Sequence, residues 1–286
     1  MQRVIVPASR CYSEEIAPGV FWERMYPGGK DGPNGECLYE TPGGQAWTDA
    51  IMLGADGGAQ MLWPDIRMPA NQYWPLHWHD CWTAVIVVEG ICLIGDWWMQ
   101  QGDIFITGPG IEYGPLVPGP RGVRIFEIFN DGALSPGGYA PEYCDHPTLS
   151  GSVRPIADGR SQLNSRNNGR MTLPCDGVDR AYKSRLSPGG EWDLGEPGDP
   201  ERAILNDTLL VPGEVISPHS YGDWHMITVM DGSLEVAGRA LRTDDFLRIA
   251  PDSAVPRIVA GDKGARLLEG CRTSHGFNRR AISQPA

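Results

Sequence analysis

An internal repeat constrains this chain more than any other feature. Adding 142 to each position of 71–129 lands on 213–271 without a gap, and 11 of the 59 pairs are identical. Segments of average composition would share roughly three or four. The identities are His77/His219, Trp82/Trp224, Val87/Val229, Gly90/Gly232, Asp103/Asp245, Pro109/Pro251, Val117/Val259, Gly119/Gly261, Gly122/Gly264, Arg124/Arg266 and Glu127/Glu269. Apolar character recurs where identity does not, as at Ile125/Leu267 and Phe126/Leu268. Two copies of domain length imply a tandem duplication.

Each copy reads as β-structure. In the first, the apolar run Trp82–Val88 ends at Glu89-Gly90, and Ile91–Ile94 and Trp97–Met99 flank the two-residue hairpin signal Gly95-Asp96. Asp103–Thr107 and Val123–Phe129 are further strands. The second copy repeats the order with Met226–Met230, Leu234–Val236 and Phe246–Ile249. Gln45–Met68 and Glu191–Leu210 supply the strands that lead into each copy. Gly (37) and Pro (25) make up 62 of the 286 residues, and this density of turn residues between short apolar runs predicts closed barrels or jelly rolls. The expected division is an arm at 1–45, a barrel at 46–130, a linker at 131–187, a barrel at 188–275 and a tail at 276–286.

Charge and cysteine usage exclude several classes. With 24 basic and 36 acidic residues the net charge is −12, a field that repels nucleic acid. No apolar run approaches the ~20 residues that span a bilayer, so no membrane partner is expected. Met1–Ile16 lacks the apolar segment of a signal peptide. Seven scattered cysteines form no CxxC, which favours free thiols in a reducing compartment and a cytoplasmic location.

Four of the six histidines, His77, His79, His219 and His225, fall inside the repeat. On a strand His77, His79, Cys81 and Thr83 share one face, and two imidazoles there can hold a divalent metal. The alternative is a pair of hydrogen-bonded histidines in a Trp-rich core. Five residues separate Asn71 from His77-x-His79; three more lead to Thr83 and six to Gly90. Gly102, Gly108-x-Gly110 and Tyr113 follow at the second characteristic spacing. These are the spacings of the two cupin motifs. Copy two keeps the first as Gly213, His219-x-Tyr221, His225 and Gly232, while its second is eroded to Asp244, Pro251 and Val255. The chain thus resembles a bicupin of the cupin superfamily over about 46–130 and 188–275.

The resemblance implies an all-β fold of two tandem cupin double-stranded β-helix (jelly-roll) barrels. It also implies a metal, usually held by two His, one Glu and a final His. Here Thr83 stands at the Glu position and Tyr113 at the final His position. The implied metal ligands are His77, His79 and Tyr113, with water completing the shell. Fe(II) is the expected ion, with Zn, Ni, Cu or Mn as alternatives. A nearby dication lowers a phenol's pKa from about 10, so Tyr113 is also a candidate base. In the second barrel His219, Tyr221 and His225 are the weaker metal candidates, the alternative being a filled, structural barrel.

Cys81, Thr83 and Trp97 are expected to line the pocket, within a dense group that includes Trp74, Trp78, Trp82 and Trp98. Arg124 and Glu127 recur in the eroded copy, which favours a shared structural role such as an ion pair; Glu127 as a catalytic base is the alternative. The function implied is that of a metal-dependent bicupin dioxygenase acting on a small, aromatic or enolisable organic substrate. A non-redox lyase, isomerase or cyclase with Tyr113 as acid or base is the second reading, and a non-catalytic small-molecule-binding cupin the third. Cupin barrels often pair through sheet edges and arms, so a homodimer is expected by analogy.

Overall fold

The computed structural model describes residues 12–24, 36–41, 44–55, 58–70, 79, 81–94, 97–109, 113–114, 116–130, 170–172, 179–195, 202–272 and 280–281. His77, Trp74, Trp78 and the Gly95-Asp96 turn lie outside them. The described residues form strands and no helix, hence no helix long and apolar enough to cross a membrane. The strands are β1 (Tyr12–Ala17), β2 (Val20–Arg24), β3 (Glu36–Thr41), β4 (Gly44–Ala55), β5 (Gly58–Met68), β6 (Thr83–Ile94), β7 (Trp97–Gln100), β8 (Asp103–Thr107), β9 (Leu116–Phe129), β10 (Arg170–Thr172), β11 (Asp179–Arg185), β12 (Glu191–Leu194), β13 (Ala203–Leu210), β14 (Val215–Ile216), β15 (His219–Ser220), β16 (His225–Val236), β17 (Arg239–Arg242), β18 (Asp245–Ile249), β19 (Ile258–Arg272) and β20 (Arg280–Ala281).

The repeat offset holds in three dimensions. It carries β6 onto β16, β7 onto β17 and β8 onto β18, and each strand pairs as its counterpart does. The long strands β6 and β9 run side by side in the first sheet, as β16 and β19 do in the second. Both pairs break register at the same place, between Val87 and Glu89 and between Val229 and Asp231. These bulges bend the long strands so that one strand serves both faces of a jelly roll. Two recurring glycines make the bend possible. Gly90 and Gly232 have φ of 84° and 78°. A Cβ there would lie 2.5 Å and 2.1 Å from the carbonyl oxygens of Gly122 and Gly264. The architecture is two tandem β-barrels, all strand.

The two sheets are completed by exchanged hairpins. In the first, the order is β10-β11-β8-β6-β9-β5-β4-β3; in the second, β1-β2-β18-β16-β19-β13-β12. The N-terminal hairpin therefore completes the second barrel, and the hairpin that precedes the second barrel completes the first. The contacts match: Arg24 faces Asp245 in register as Arg185 faces Asp103. Arg24 Nε donates to Asp245 Oδ1 at 2.7 Å, and Arg185 Nη1 to Asp103 Oδ1 at 2.9 Å. Each aspartate also accepts the N–H of the hairpin strand before it, Gln100 at 3.0 Å and Arg242 at 2.9 Å. That double duty explains why Asp103 and Asp245 are identical. The stretch read as linker at 131–187 thus carries β10 and β11. Half-buried Lys183 and Ser184 and exposed Arg185 leave no apolar run to announce β11.

Alternation along the strands separates two kinds of core. Val85, Val87, Phe105, Tyr113 and Ile125 fill the first barrel. Ile227, Val229, Leu247, Val255 and Leu267 fill the second. The intervening residues meet between the barrels: Ala84, Ile86, Ile104, Phe126 and Ile128 from one side, Met226, Phe246 and Leu268 from the other. Phe126 and Phe246 pack edge to face with centroids 5.8 Å apart. Among them lies one buried cation. Arg124 donates to Asp65 through Nε at 2.9 Å and Nη2 at 2.5 Å, and to Asp244 of the second barrel through Nη1 at 2.5 Å. Burial disfavours the guanidinium, yet the two carboxylates more than offset this and hold it charged. Burial pushes the Asp65 carboxyl up, against the pull of Arg124. The second copy repeats the pair as Arg266–Asp207, with Arg266 a third exposed.

Arg124→Ala strands Asp65 in an apolar layer and is expected to cost about 3–5 kcal/mol. Arg266→Ala is expected to cost clearly less, because its pair is open to solvent. Urea unfolding of the two variants checks the difference; equal losses would contradict it. Cys92, pushed up to about 12 by burial, and Cys271, raised for the same reason, are expected to stay protonated at pH 8. A thiol assay with Ellman's reagent on the native protein, repeated in denaturant, should show both reacting only after unfolding.

Candidate functional site

Three polar side chains meet inside the first barrel. His79 precedes β6, Tyr113 bridges between β8 and β9, and Glu127 lies on β9. Their exposures are 4%, 0% and 2%, so they meet without bulk water. Tyr113 Oη donates to Glu127 Oε1 at 2.7 Å. His79 Nε2 lies 3.0 Å from Tyr113 Oη and 3.5 Å from Glu127 Oε1. Because the phenol proton goes to the carboxylate, the phenol oxygen accepts from His79, and Nε2 carries the imidazole hydrogen. The result is a relay from His79 through Tyr113 to Glu127. Aromatic rings fix it: Phe129 meets His79 edge-on at 4.8 Å, and Phe105 lies 5.2 Å from Tyr113.

Glu127 faces inward for a reason of register. Arg124, Phe126 and Ile128 point to the layer between the barrels, so Ile125, Glu127 and Phe129 point into the lumen. Arg124 and Glu127, three residues apart, are on opposite faces, and the ion pair of Arg124 is with Asp65 instead. The acidic partners Asp65 and Asp244 were not singled out from the sequence. Asp65 and Asp207 share the 142 offset six residues before the window of identities, which is the signal that could have found Asp65.

The other expected residues are placed as follows. Thr83 is fully buried at the start of β6, its Oγ1 3.5 Å from the Cys81 carbonyl, and Cys81 is also buried. Trp97 is half-buried and stacks toward Phe105 at 5.9 Å, one ring removed from Tyr113. Trp82 lies in the layer between the barrels and Trp98 is 58% exposed, so neither lines the lumen. His77 lies outside the described residues, as does Glu112.

The triad fits one divalent ion. Ligands about 2.0–2.2 Å from a common metal lie about 3.0–3.4 Å from one another, close to the edges of this triangle. One imidazole nitrogen and two oxygens suit Fe(II), Mn(II) or Zn(II). Among the described residues no three His, Cys, Asp or Glu side chains converge, so a phenol is needed to complete the set.

The second barrel is arranged differently. His225 Nε2 lies 3.1 Å from Glu269 Oε2, and Glu269 Oε1 accepts from Thr208 Oγ1 at 2.7 Å. The Tyr221 ring stacks on His225 at 3.7 Å and 5°, and His219 meets it edge-on at 4.9 Å. His219, Tyr221 and His225 are thus brought together, but as a ring stack around a phenol.

No protein-family model and no curated protein matches the sequence. Solved structures do match its fold. A Nostoc punctiforme protein described as a dioxygenase aligns over 93% of this chain and 87% of its own, with a TM-score of 0.57 at 13% identity. The bacterial pirin of Escherichia coli, in complex with nickel(II), aligns over 89% and 99%, with a TM-score of 0.54 at 14% identity. A variant of Bacillus subtilis oxalate decarboxylase aligns over 91% and 79%, with a TM-score of 0.53 at 14% identity. At these identities the likeness concerns the fold, which is the cupin barrel twice in tandem.

A relay held by protons must release them to bind an ion. Metal uptake by the first barrel is therefore expected to release protons and to weaken as pH falls. Proton release into a weakly buffered solution on titration with Zn(II) measures it. His77→Ala or His79→Ala should remove most bound metal, whereas His219→Ala should leave the content unchanged by elemental assay.

Proposed function

We propose that the first barrel is the active centre of a metal-dependent enzyme acting on a small organic molecule, and that its reaction is a dioxygenation of an aromatic or enolisable substrate. The observation that carries this reading is the convergence of His79, Tyr113 and Glu127 in a closed, aromatic-walled lumen. With His77 completing the set, these residues would hold Fe(II), which would supply Lewis acidity toward a chelating substrate and reactivity toward O2. The chain's own residues do the rest. The apolar lining of Val85, Phe105, Ile125 and Phe129 keeps water from the reacting atoms. Glu127 accepts the Tyr113 proton, leaving the phenol oxygen able to take one from an acidic substrate hydroxyl or carbon. His79 donates to that oxygen and steadies the charge it gains. The printed descriptions of the structural neighbours, a dioxygenase and a nickel-bound pirin among them, support the metal-dependent part of this reading.

One observation favours a second, non-redox reading. The 2.7 Å bond from Tyr113 to Glu127 is an acid–base arrangement that needs no oxygen chemistry. In a lyase, isomerase or cyclase the same pair would move a proton while the metal polarised a carbonyl. Oxalate decarboxylase, a lyase by its name, has the same fold.

Fe(II) reconstitution under anaerobic conditions, followed by oxygen-electrode recording with a panel of catechols and 1,3-dicarbonyls, separates the two. Substrate-dependent oxygen uptake is expected; conversion of the same compounds with no uptake would establish the second reading. Tyr113→Phe keeps the ring and its packing and is expected to reduce turnover by roughly a hundredfold or more, with unchanged melting. Turnover within a few-fold of wild type would reduce Tyr113 to barrel packing.

A further inference from the structure

The two barrels have the same skeleton but hold different sets of polar side chains. The places of His77, His79, Thr83 and Glu127 are taken by His219, Tyr221, His225 and Glu269. The second barrel therefore holds two imidazoles and a carboxylate, a common transition-metal set. All three side chains are almost fully buried: His219 is 2% exposed, and His225 and Glu269 are 0%. His219 is oriented as a ligand should be. Its Nδ1 lies 2.8 Å from the Ser217 carbonyl, which can only accept, so Nδ1 carries the hydrogen and Nε2 the lone pair.

Tyr221 stands among these groups. An imidazole binds a metal through a lone pair in its own plane, and a stacked face offers none. At 3.7 Å and 5° the Tyr221 ring lies flat on His225, while its other contact is the ring of His219. The in-plane Nε2 of His225 is turned to Glu269 instead. In the first barrel the exchange of residues avoids this. The smaller Thr83 stands where His225 does, and His79, at the place of Tyr221, directs Nε2 toward two oxygens rather than stacking.

We propose that Tyr221 is the residue that closes the second barrel to metal, and that His219, His225 and Glu269 form a latent site for one divalent transition ion behind it. The single His/Tyr difference at 79 and 221 then decides which barrel of the duplicated pair is loaded. This does not rest on the reading of the first barrel, because gain of an ion is measured above whatever that barrel binds.

The test is equilibrium dialysis against Co(II), with elemental assay and the visible absorption of the bound ion. Tyr221→His and Tyr221→Ala are expected to bind one more equivalent than wild type, and Tyr221→Phe, which keeps the stack, none. The added ion should persist when His79→Ala is introduced and vanish with His225→Ala. Failure of both opened variants to gain an ion, with circular dichroism and melting showing them folded, would overturn the proposal. If neither opened variant folds, His219→Ala and His225→Ala in the otherwise wild-type chain decide. Uptake equal to wild type supports closure, and loss of one equivalent shows that the barrel was open from the start.

Discussion

The register of β9 is the constraint on which the rest of the structure depends, and the buried guanidinium of Arg124 holds it. Arg124 reaches Asp65 on the neighbouring strand and Asp244 across the gap between barrels. A one-residue slip would carry Arg124 into the apolar lumen and put Glu127 into the layer of Phe126 and Phe246. Both displacements leave a charge without its partners. The ion pair that joins the barrels is thus also what aims Glu127 at Tyr113. The second copy repeats the logic with Arg266 and Asp207, and Glu269 faces inward there for the same reason.

Neither barrel is complete without the other half of the chain. Each takes its outer hairpin from the segment that precedes the other barrel, and Asp103 and Asp245 receive the incoming arginine in the same register. The apolar layer built from alternate residues of β6, β9, β16 and β19 then seals the pair. This makes the protein one cooperative body, and it frees the lumen of each barrel from carrying the fold. A lumen relieved of that duty can change, and the two have changed in opposite ways. One concentrates a histidine, a phenol and a carboxylate on a common point. The other stacks its phenol between imidazoles.

Much of this was legible in the residues. The fixed offset, the alternation of apolar residues and the placement of Gly90 and Gly232 determined two barrels of equal topology, because bulges, turns and lumen-facing positions are local demands. His79 and Tyr113 were legible as site residues for the same reason: a motif spacing counts positions along strands whose faces alternate. Glu127 was visible only as a recurring residue, since recurrence does not say which face of the sheet it occupies until the register is known.

What the sequence by itself determined is therefore the repeated barrel and the set of polar side chains each lumen receives. Tertiary structure alone decided the rest. The partners of Arg124 lie 59 and 120 residues away in the chain, and no local rule pairs them. The hairpin exchange joins segments more than 220 residues apart, through strands such as β11 whose polar faces give no apolar signal. Whether Tyr221 coordinates or stacks depends on the ring beside it, His225, where the first barrel has only a threonine. Such choices follow from packing in three dimensions, which acts between residues that the chain itself keeps apart.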